Sequence, residues 1–327
     1  AGKLDLKTLL QEVSKRGASD LHITEGRAPI LRIAGKLEPL SQTPLTEADM
    51  RTLLFSVLST RQRSVYQLER EIDFALAISG DQRFRINAYF QKGRMAASLR
   101  AISSEIPSGK DLGLPQSLLR LGQKPQGLLL VVGPTGSGKT TTLACLLNQI
   151  NERRNCRIVT IEDPIEYTHE SKKATIDQRE VNSDTQSFSA ALKYVLRQDP
   201  DVILVGEMRD LESVSAALTA AETGHLVMAT LHTNSAVQAI ERIVDVFPAR
   251  QQNQARAQLS SSLLGVVSQR LLPVKNGEGR LAAFEVLVAT PAVRTIIREN
   301  KPHQAASIME SSRGHGMVTM DRALKDL

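Results

Sequence analysis

Residues 128–140 read Leu-Leu-Leu-Val-Val-Gly-Pro-Thr-Gly-Ser-Gly-Lys-Thr. The apolar run at residues 128–132 predicts a buried strand, and residues 141–150 are typical of a helix. A strand, a loop of the form G-x-x-x-x-G-K-T and a helix, in this order, are the signature of a phosphate-binding P-loop. The sequence therefore predicts an α/β fold with a nucleotide site at this loop.

Each residue type in the loop suits phosphate binding. Glycines let backbone N–H groups turn onto the phosphates, and the N-terminus of the following helix adds partial positive charge. Lys139 is predicted to reach the terminal phosphates, and Thr140 is predicted to ligate magnesium. The whole run is predicted to contact the nucleotide: Gly133, Pro134, Thr135, Gly136, Ser137, Gly138, Lys139, Thr140 and Thr141. We therefore expect ATP and Mg²⁺ as ligands.

The composition is that of a globular chain with two domains, because 327 residues exceed what one core usually holds. The net charge of +6 is diffuse, and the lack of Trp with only 3% aromatic residues argues against a nucleic-acid partner. No apolar run approaches the roughly 18 residues of a membrane span, and the N-terminus lacks a signal-peptide pattern, so we expect a cytoplasmic protein. Cys145 and Cys156 lack C-x-x-C spacing, which predicts neither a disulfide framework nor a zinc site.

Two prolines and two glycines at residues 106–115 predict a connector between domains. We therefore assign residues 1–105 to a small α/β domain, residues 106–117 to a linker and residues 118–327 to the P-loop domain. Strand-like runs and helical stretches alternate in the P-loop domain, which predicts a mostly parallel sheet with covering helices. Its predicted strands are residues 128–132, 157–161, 202–205 and 226–231.

The first domain is predicted to contain two helices and five strands. One helix covers residues 4–15, and a second begins near Thr46, where Asp49 completes a capping box. The second helix is expected to continue to Leu58 at helical spacing. The predicted strands are residues 20–24, 30–33, 74–79, 83–90 and 94–102.

The last two of these strands flank Lys92-Gly93, which we interpret as a two-residue hairpin turn. In that register Arg85 lies directly opposite Arg100. Like charges in a cross-strand pair are destabilising unless they are neutralised, so the pair predicts an anion such as a triphosphate tail. The alternative is that both arginines lie on a solvated face and splay apart.

Carboxylates follow two predicted strands of the P-loop domain, at the sheet edge where α/β folds bind ligands. Glu207 comes directly after residues 202–206, beside the P-loop, where a Walker-B acid is expected to act on magnesium directly or through water. Glu162, Asp163 and Glu166 follow the strand at residues 157–161. The residues alone do not decide which of these three activates the attacking water.

Two histidines bracket the strand predicted at residues 226–231. His232 lies at its C-terminal end and is predicted to contact the γ-phosphate. His225 lies at the opposite end of the strand and is also predicted to bind the nucleotide, with a structural role as the alternative. No third ligand at suitable spacing supports a zinc site.

Several short motifs occur together and in a fixed order, and together they are highly specific. They are the P-loop, Glu162-Asp163-Pro164-Ile165-Glu166, Gln178-Arg179-Glu180, Leu196-Arg197-Gln198-Asp199-Pro200-Asp201, Gly206-Glu207-Met208-Arg209-Asp210 and the two-histidine strand. In these motifs the chain resembles, nearly end to end, the ATPases of type II secretion and type IV pili, and within them the pilus-retraction branch. The resemblance implies a PAS-like N-terminal α/β domain and a RecA-like C-terminal P-loop ATPase domain.

The resemblance also implies an activity and partners. It implies a homohexameric motor that hydrolyses ATP to power type IV pilus retraction, known as twitching motility. The implied partner is an inner-membrane pilus platform protein, with peripheral association at the inner membrane face. Retraction of pili is not the only possibility, since pilus-assembly and type II secretion ATPases share the site. A RecA-like nucleic-acid motor and a regulatory partner with little turnover are further alternatives.

Site roles carried over from the family match residues singled out above. Glu166 matches the carboxylate of the Asp box, Glu207 the Walker-B acid, and His225 and His232 the His-box pair. The arginines that close onto the nucleotide match Arg85 and Arg100, with Arg83 as a weaker third.

One family motif is altered in this chain. Retraction members typically carry Ala-Ile-Arg-Asn-Leu-Ile-Arg-Glu near the C-terminus, whereas residues 292–299 here read Ala-Val-Arg-Thr-Ile-Ile-Arg-Glu. Two of the three changes are aliphatic exchanges, and the third replaces Asn by Thr295. Assembly-type relatives usually have an extra N-terminal domain and a tetracysteine zinc element, and their absence from this sequence favours the retraction branch.

Overall fold

The computed structural model describes residues 5–78, 82–102, 105–275 and 279–327. It divides into two compact units, one of Ala1–Ser104 with Glu166–Thr168 and the other of Glu105–Ile165 with His169–Leu327. Residues 166–168 were predicted to belong to the P-loop domain, but they group with the first unit. Within the described ranges, no helix is both long and apolar enough to span a membrane.

In the residues that the structure describes, the first unit has one antiparallel sheet and three helices. The elements are α1 (Leu6–Lys15), β1 (Asp20–Thr24), β2 (Ile30–Ile33), β3 (Lys36–Pro39), α2 (Glu47–Phe55), α3 (Thr60–Glu69), β4 (Glu71–Ala77), β5 (Arg83–Gln91) and β6 (Arg94–Ile102). The strand order is β3-β2-β1-β6-β5-β4. This arrangement places β5 and β6 side by side as an antiparallel hairpin.

The helices of the first unit cover its core with apolar residues at helical spacing. In α1, Leu6, Leu10 and Val13 are fully buried, as expected for positions i, i+4 and i+7. The predicted capping box of α2 is confirmed, since Thr46 and Asp49 exchange both hydrogen bonds. The helix ends at Phe55, however, and not at residue 58 as predicted.

Other elements of the first unit were missed or shifted. No sequence pattern predicted β3, because this strand is exposed throughout and lacks the alternation of a half-buried strand. The helix α3 was also not predicted, since only Tyr66 is buried there and the apolar stripe is correspondingly narrow. The helix predicted at residues 4–15 begins at residue 4, and the strand predicted at residues 74–79 ends at residue 79. Both of these end positions lie outside the described residues.

The second unit is a seven-stranded sheet with helices on both faces. Its elements are α4 (Gln116–Leu121), β7 (Gly127–Val132), α5 (Lys139–Arg153), β8 (Arg157–Glu162), β9 (Thr175–Glu180), α6 (Phe188–Val195), β10 (Val202–Val205), α7 (Leu211–Glu222), β11 (Leu226–Leu231), α8 (Ala236–Asp245), α9 (Gln252–Ser262), β12 (Leu263–Pro273), β13 (Arg280–Val288), α10 (Pro291–Arg298), α11 (Ala305–Ser311) and α12 (Met320–Lys325). The strand order is β13-β12-β7-β11-β10-β8-β9.

The central strand β7 shows why the sheet is buried on both faces. Its alternate residues belong to two different apolar clusters: Leu128, Leu130 and Val132 lie in one, and Leu129 and Val131 lie in the other. Helices therefore cover both faces, and a strand buried twice has an unbroken apolar sequence. This explains why the strand could be predicted from the run alone.

All strand pairs of this sheet are parallel except β12 with β13. The predicted α/β class and mostly parallel sheet are therefore confirmed. Three strands were not predicted. The edge strand β9 has the polar sequence Thr-Ile-Asp-Gln-Arg-Glu, which lacks a hydrophobic pattern. The strands β12 and β13 pair antiparallel and come after the part of the chain in which predicted strands alternate with helices. The alternating pattern therefore did not predict them.

Candidate functional site

The P-loop connects the C-terminal end of β7 to the N-terminus of α5, as predicted. Two of its glycines are required by the local geometry. A Cβ at Gly133 would lie 2.4 Å from the main-chain oxygen of Gln269, and φ at Gly133 is +149°. Gly138 has φ +87° and precedes the first residue of α5. Because both backbones occupy the left-handed side of φ space, residues with side chains would be strained there.

Lys139 lies folded back onto the loop, and only 7% of its surface is exposed. Its Nζ donates to the main-chain oxygens of Gly133 and Pro134 at 2.8 and 2.9 Å. These bonds place the ammonium group inside the loop, at the N-terminus of α5. The hydroxyl of Ser137 is buried there without a hydrogen-bond partner among the described residues. Such a site offers a cation and a helix N-terminus to an anion.

Glu207 and His232 meet at the same edge of the sheet. Glu207 follows β10 and His232 follows β11, and the Nε2 atom of His232 lies 3.3 Å from Oε1 of Glu207. The Nε atom of Arg209 lies 2.5 Å from the same oxygen. Since β11 lies between β7 and β10, His232 is on the strand next to the P-loop strand, and Glu207 is one strand further away. The predicted position of Glu207 beside the P-loop is corrected accordingly.

The ionisation of Glu207 follows from these neighbours. Burial raises the pKa of its carboxyl group, but the hydrogen bond from Arg209 and the charges of His232 and Arg209 outweigh burial, so the pKa lies below its ordinary value. Glu207 is therefore ionised at neutral pH. A carboxylate and the Thr140 hydroxyl are oxygen ligands of the kind that Mg²⁺ prefers. No cluster of three or more His, Cys, Asp or Glu side chains suited to a metal occurs in the part of the chain that is described. The Thr140 hydroxyl and the Glu207 carboxylate therefore fit a magnesium ion by the chemistry of their oxygens.

The loop after β10 is fixed to β11 through Thr230. The Thr230 hydroxyl donates to the main-chain oxygen of Gly206, and the Met208 N–H donates to the main-chain oxygen of Thr230 at 3.2 Å. Thr230 is almost fully buried. These bonds fix the start of the segment that carries Glu207. Nothing in the sequence motif distinguished Thr230 from an ordinary strand residue.

His225 lies at the end of β11 away from the P-loop edge. In the parallel register, Leu226 pairs with Gly127 and Leu231 with Val132, so six residues separate His225 from the loop edge, roughly 20 Å at strand rise. The Nδ1 atom of His225 lies 2.9 Å from the main-chain oxygen of Ala220, at the end of α7. The prediction that His225 binds the nucleotide is therefore wrong within one chain, because strand direction places it at the opposite edge.

The three carboxylates after β8 have different surroundings. Glu162 is 7% exposed, and its Oε1 accepts hydrogen bonds from Thr160 at 2.6 Å and from Gln178 at 3.0 Å. It therefore ties β8 to β9. Asp163 is exposed and contributes to the electrostatic environment of Arg209. Glu166 is exposed and belongs to the first unit. Its role as the group that activates water stays a prediction.

The predicted hairpin of the first unit is confirmed residue for residue. Lys92 and Gly93 both have positive φ, as a two-residue turn requires, and Arg85 pairs with Arg100. The group that neutralises this pair was missed, however. The Nε atom of Arg100 lies 2.9 Å from Oδ1 of Asp20, which belongs to the neighbouring strand β1. Asp20 therefore offsets the charge of Arg100 but not that of Arg85, and contact of these arginines with a nucleotide stays a prediction.

The environment of Asp20 accounts for this ion pair. Burial raises the pKa of Asp20, but hydrogen bonds from Ser19 and Arg100, with the Arg100 charge, outweigh burial, so the pKa lies below its ordinary value. Asp20 and Arg100 are far apart in the sequence, so no local pattern predicted this contact.

The altered C-terminal motif lies on α10, where its two arginines bind the end of α9. Arg294 donates to the main-chain oxygens of Ser260, of Ser261 at 2.8 Å and of Leu263 at 2.9 Å. Arg298 donates to the Thr295 hydroxyl at 3.3 Å. Burial lowers the pKa of Arg294. Arg294 thus satisfies carbonyls that a helix C-terminus leaves without partners, whereas Arg298 reaches α9 through the Ser260 hydroxyl, to which it donates at 3.1 Å.

A mostly parallel sheet with a P-loop at its carboxyl edge makes the second unit a RecA-like ATPase domain. The family model described as type II/IV secretion system protein matches residues 3–325, so the chain belongs to that family. It is accordingly a nucleotide-binding ATPase.

The chain is also similar to individual proteins. The chain is 46% identical over 324 residues to the type IV pilus retraction ATPase PilT of Pseudomonas aeruginosa, covering 99% of this chain and 94% of that protein. It is also 46% identical over 299 residues to a twitching motility protein of Neisseria gonorrhoeae, covering 91% and 80% of the two chains. A crystal structure of the pilus retraction motor PilT with bound ADP matches it with a TM-score of 0.87 at 45% identity, covering 99% of this chain and 97% of that one.

Proposed function

We propose that this chain is a motor ATPase that powers retraction of type IV pili. One observation carries the proposal: 46% identity to a pilus retraction ATPase extends over 99% of the chain. The site supports it, because a formed P-loop with an ordered lysine and a Glu207–His232 pair occupy one edge of one sheet. Twitching motility is the cellular process that this activity would serve.

ATP binding begins at Lys139. The ammonium group leaves the oxygens of Gly133 and Pro134 and binds the terminal phosphates, while N–H groups at the N-terminus of α5 bind the phosphate oxygens. Mg²⁺ would be held by Thr140 and, through water, by Glu207, and would neutralise phosphate charge.

Hydrolysis needs a base, positive charge and a sensor of the γ-phosphate. Glu166 accepts a proton from water as the water oxygen bonds to the γ-phosphorus and the bond to the ADP oxygen breaks. Arg85 and Arg100, with Arg83 as a weaker third, supply positive charge to the phosphates. His232 donates to a γ-phosphate oxygen. Glu207 orients the His232 ring through its contact with Nε2.

The chain acts as a homohexamer at the cytoplasmic face of the inner membrane. The P. aeruginosa relative is a type IV pilus retraction ATPase, which supports a partner within the pilus machinery. That partner would be an inner-membrane platform protein, with which the chain would associate peripherally. Loss of the γ-phosphate would change the conformation of each chain and move the platform protein. A homohexamer provides six such sites in one ring.

Complementation tests this function. We expect the wild-type chain, expressed in a bacterium lacking its pilus retraction ATPase, to restore twitching zones, and the Lys139→Ala variant to restore none, because it loses nucleotide binding. Purified wild-type protein should hydrolyse ATP without stimulation by DNA or RNA. Strong stimulation by nucleic acid would favour the nucleic-acid motor. Hydrolysis with restored pilus assembly in an assembly-deficient strain, but without twitching, would assign the assembly role.

A further inference from the structure

The strand β12 continues past the end of β7 and runs beside the P-loop. Ser268 is in register with Val132, the last residue of β7, so the next residue, Gln269, lies beside Gly133. Ser268 and Gln269 are buried, with 0% and 3% exposure. Because side chains alternate along a strand, these two neighbours act on opposite faces of the sheet.

Gln269 contacts both glycines at the ends of the loop. Its main-chain oxygen lies where a Cβ on Gly133 would be only 2.4 Å away. Its side-chain Nε2 lies 2.8 Å from the position of a Cβ on Gly138. One residue of β12 is thus packed against the first and last glycines of the phosphate-binding turn, and these glycines leave it room.

The side chain of Gln269 also holds the helix that follows the loop. The Thr142 hydroxyl donates to Oε1 of Gln269 at 2.7 Å, and Thr142 is 1% exposed. Thr142 is in the first turn of α5, where its N–H donates to the main-chain oxygen of Gly138 at 3.0 Å. The N-terminus of α5, which supplies N–H groups to phosphate, is therefore tied to a strand far away in sequence.

We propose that Gln269 is a positioning residue that holds the P-loop in its nucleotide-binding shape. A loop with three glycines has many accessible backbone conformations, and ordering it only when nucleotide arrives would weaken binding. Gln269 restrains both ends of the loop before the nucleotide binds. The inference rests on the nucleotide site described above and adds a residue outside the P-loop motif to it.

Ser268 provides an internal comparison on the opposite face. Its hydroxyl donates to the main-chain oxygen of Asn234 at 3.1 Å, two residues after His232. Loss of this bond would make the loop that carries His232, the proposed γ-phosphate sensor, more mobile. It would leave the contacts between Gln269 and the P-loop unchanged. Ser268→Ala should therefore lower kcat more than nucleotide affinity, whereas Gln269 variants should act first on affinity.

The main test replaces Gln269 by methionine, which has similar volume and no acceptor for the Thr142 hydroxyl. We expect Gln269→Met to raise the dissociation constant of a fluorescent ADP analogue about tenfold, the size expected for losing one buried hydrogen bond. Thr142→Val should have a similar effect. The double variant should bind no more weakly than the weaker single variant, because both remove one interaction.

The matched control is Gln123→Met, since the Nε2 atom of Gln123 is buried without a partner among the described residues. The control should leave the dissociation constant within about twofold of wild type. A purely structural role for Gln269 would lower the melting temperature of the nucleotide-free protein and leave ADP affinity unchanged. If Gln269→Met does not fold, Thr142→Val carries the test.

Unchanged ADP affinity in both Gln269→Met and Thr142→Val, or fully additive effects in the double variant, would overturn the proposal. Failure of the wild-type protein to bind the analogue would instead overturn the proposed nucleotide site. Wild-type binding that Lys139→Ala abolishes shows that the site itself is intact. The two failures are therefore distinguishable.

Discussion

Among single residues, the carboxylates after β8 illustrate how similar side chains take different roles. Glu162 is buried and bound by Thr160 and Gln178, whereas Glu166 is exposed. We expect Glu166→Gln to lower kcat by about 10² to 10⁴, the range for a lost general base, with nucleotide affinity nearly unchanged. Glu162→Gln should instead lower the melting temperature. Steady-state ATPase assays and calorimetry measure both, and wild-type turnover in Glu166→Gln would exclude it as the base.

Asp20 gives a residue-level prediction that depends on pH. Its pKa is lower in the folded chain than the unfolded value of about 3.9, so its ionised form stabilises the fold above that value. This contribution is lost as the pH falls through the folded pKa. We expect Asp20→Asn to lower the free energy of unfolding by about 1–2 kcal/mol at pH 7, and by progressively less as the pH falls below about 3.9 and through the folded pKa.

Urea unfolding at several pH values measures this difference. A suitable control is Asp177→Asn, because the Asp177–Arg157 pair is nearly half exposed on both sides and should contribute less than about 1 kcal/mol. If the destabilisation by Asp20→Asn does not decline as the pH is lowered from 7 to about 2, the ionisation of Asp20 does not hold Arg100.

Among the elements, β13 connects two helices through a buried carboxylate. Glu285 is 7% exposed. Its Oε1 atom accepts a hydrogen bond at 2.7 Å from the N–H of Ala236, the first residue of α8. Its Oε2 atom accepts one at 3.3 Å from the N–H of Met320, the first residue of α12. The carboxylate also lies favourably at two helix N-termini. The C-terminal helix α12 is thereby attached to the strand at the edge of the sheet.

We expect Glu285→Gln to lower the free energy of unfolding by about 1–3 kcal/mol, since an amide can accept only at one of the two positions. Amide hydrogen exchange should accelerate in residues 320–325 more than in the rest of the second unit. Glu241→Gln, an exposed position on α8, should change neither quantity. Equal exchange rates in Glu285→Gln and wild type would mean that α12 is held by its apolar contacts alone.

At the level of the whole molecule, catalysis is predicted to use residues from both units. Arg85 is exposed on the hairpin of the first unit, and the P-loop belongs to the second. We expect Arg85→Ala to lower kcat by about 10² to 10³ without changing the melting temperature, because positive charge on the transferring phosphoryl group is worth at least that much. Arg94→Ala, on the same hairpin and paired with Glu25 at 3.7 Å, should stay near wild-type turnover.

Steady-state ATPase kinetics measure the effect of Arg85→Ala. Unchanged kinetics would leave the cross-strand arginines with a structural role only. Mixing inactive Arg85→Ala and Lys139→Ala chains then shows where the arginine acts. Partial recovery of activity would mean that it serves the site of a neighbouring chain, which requires an oligomer.

Local patterns were sufficient to predict much of the fold. The run at residues 128–132 predicted β7 because a strand buried on both faces must be apolar throughout. The Lys92-Gly93 turn predicted the Arg85–Arg100 pair because a two-residue turn fixes the register. The polar strand β9 and the exposed strand β3 carried no such pattern, since their pairing partners and not their own side chains make them strands.

The sequence by itself determined the P-loop, the strand ends that carry Glu207 and His232, and the class of the fold, because each depends on residues close together in the chain. Only the tertiary structure decided that Asp20 pairs with Arg100, that Gln269 holds the P-loop and that Glu285 joins α8 to α12. The physical reason is the same in all three cases. Which distant residues meet is set by the order, direction and register of strands, and these follow from packing the whole sheet.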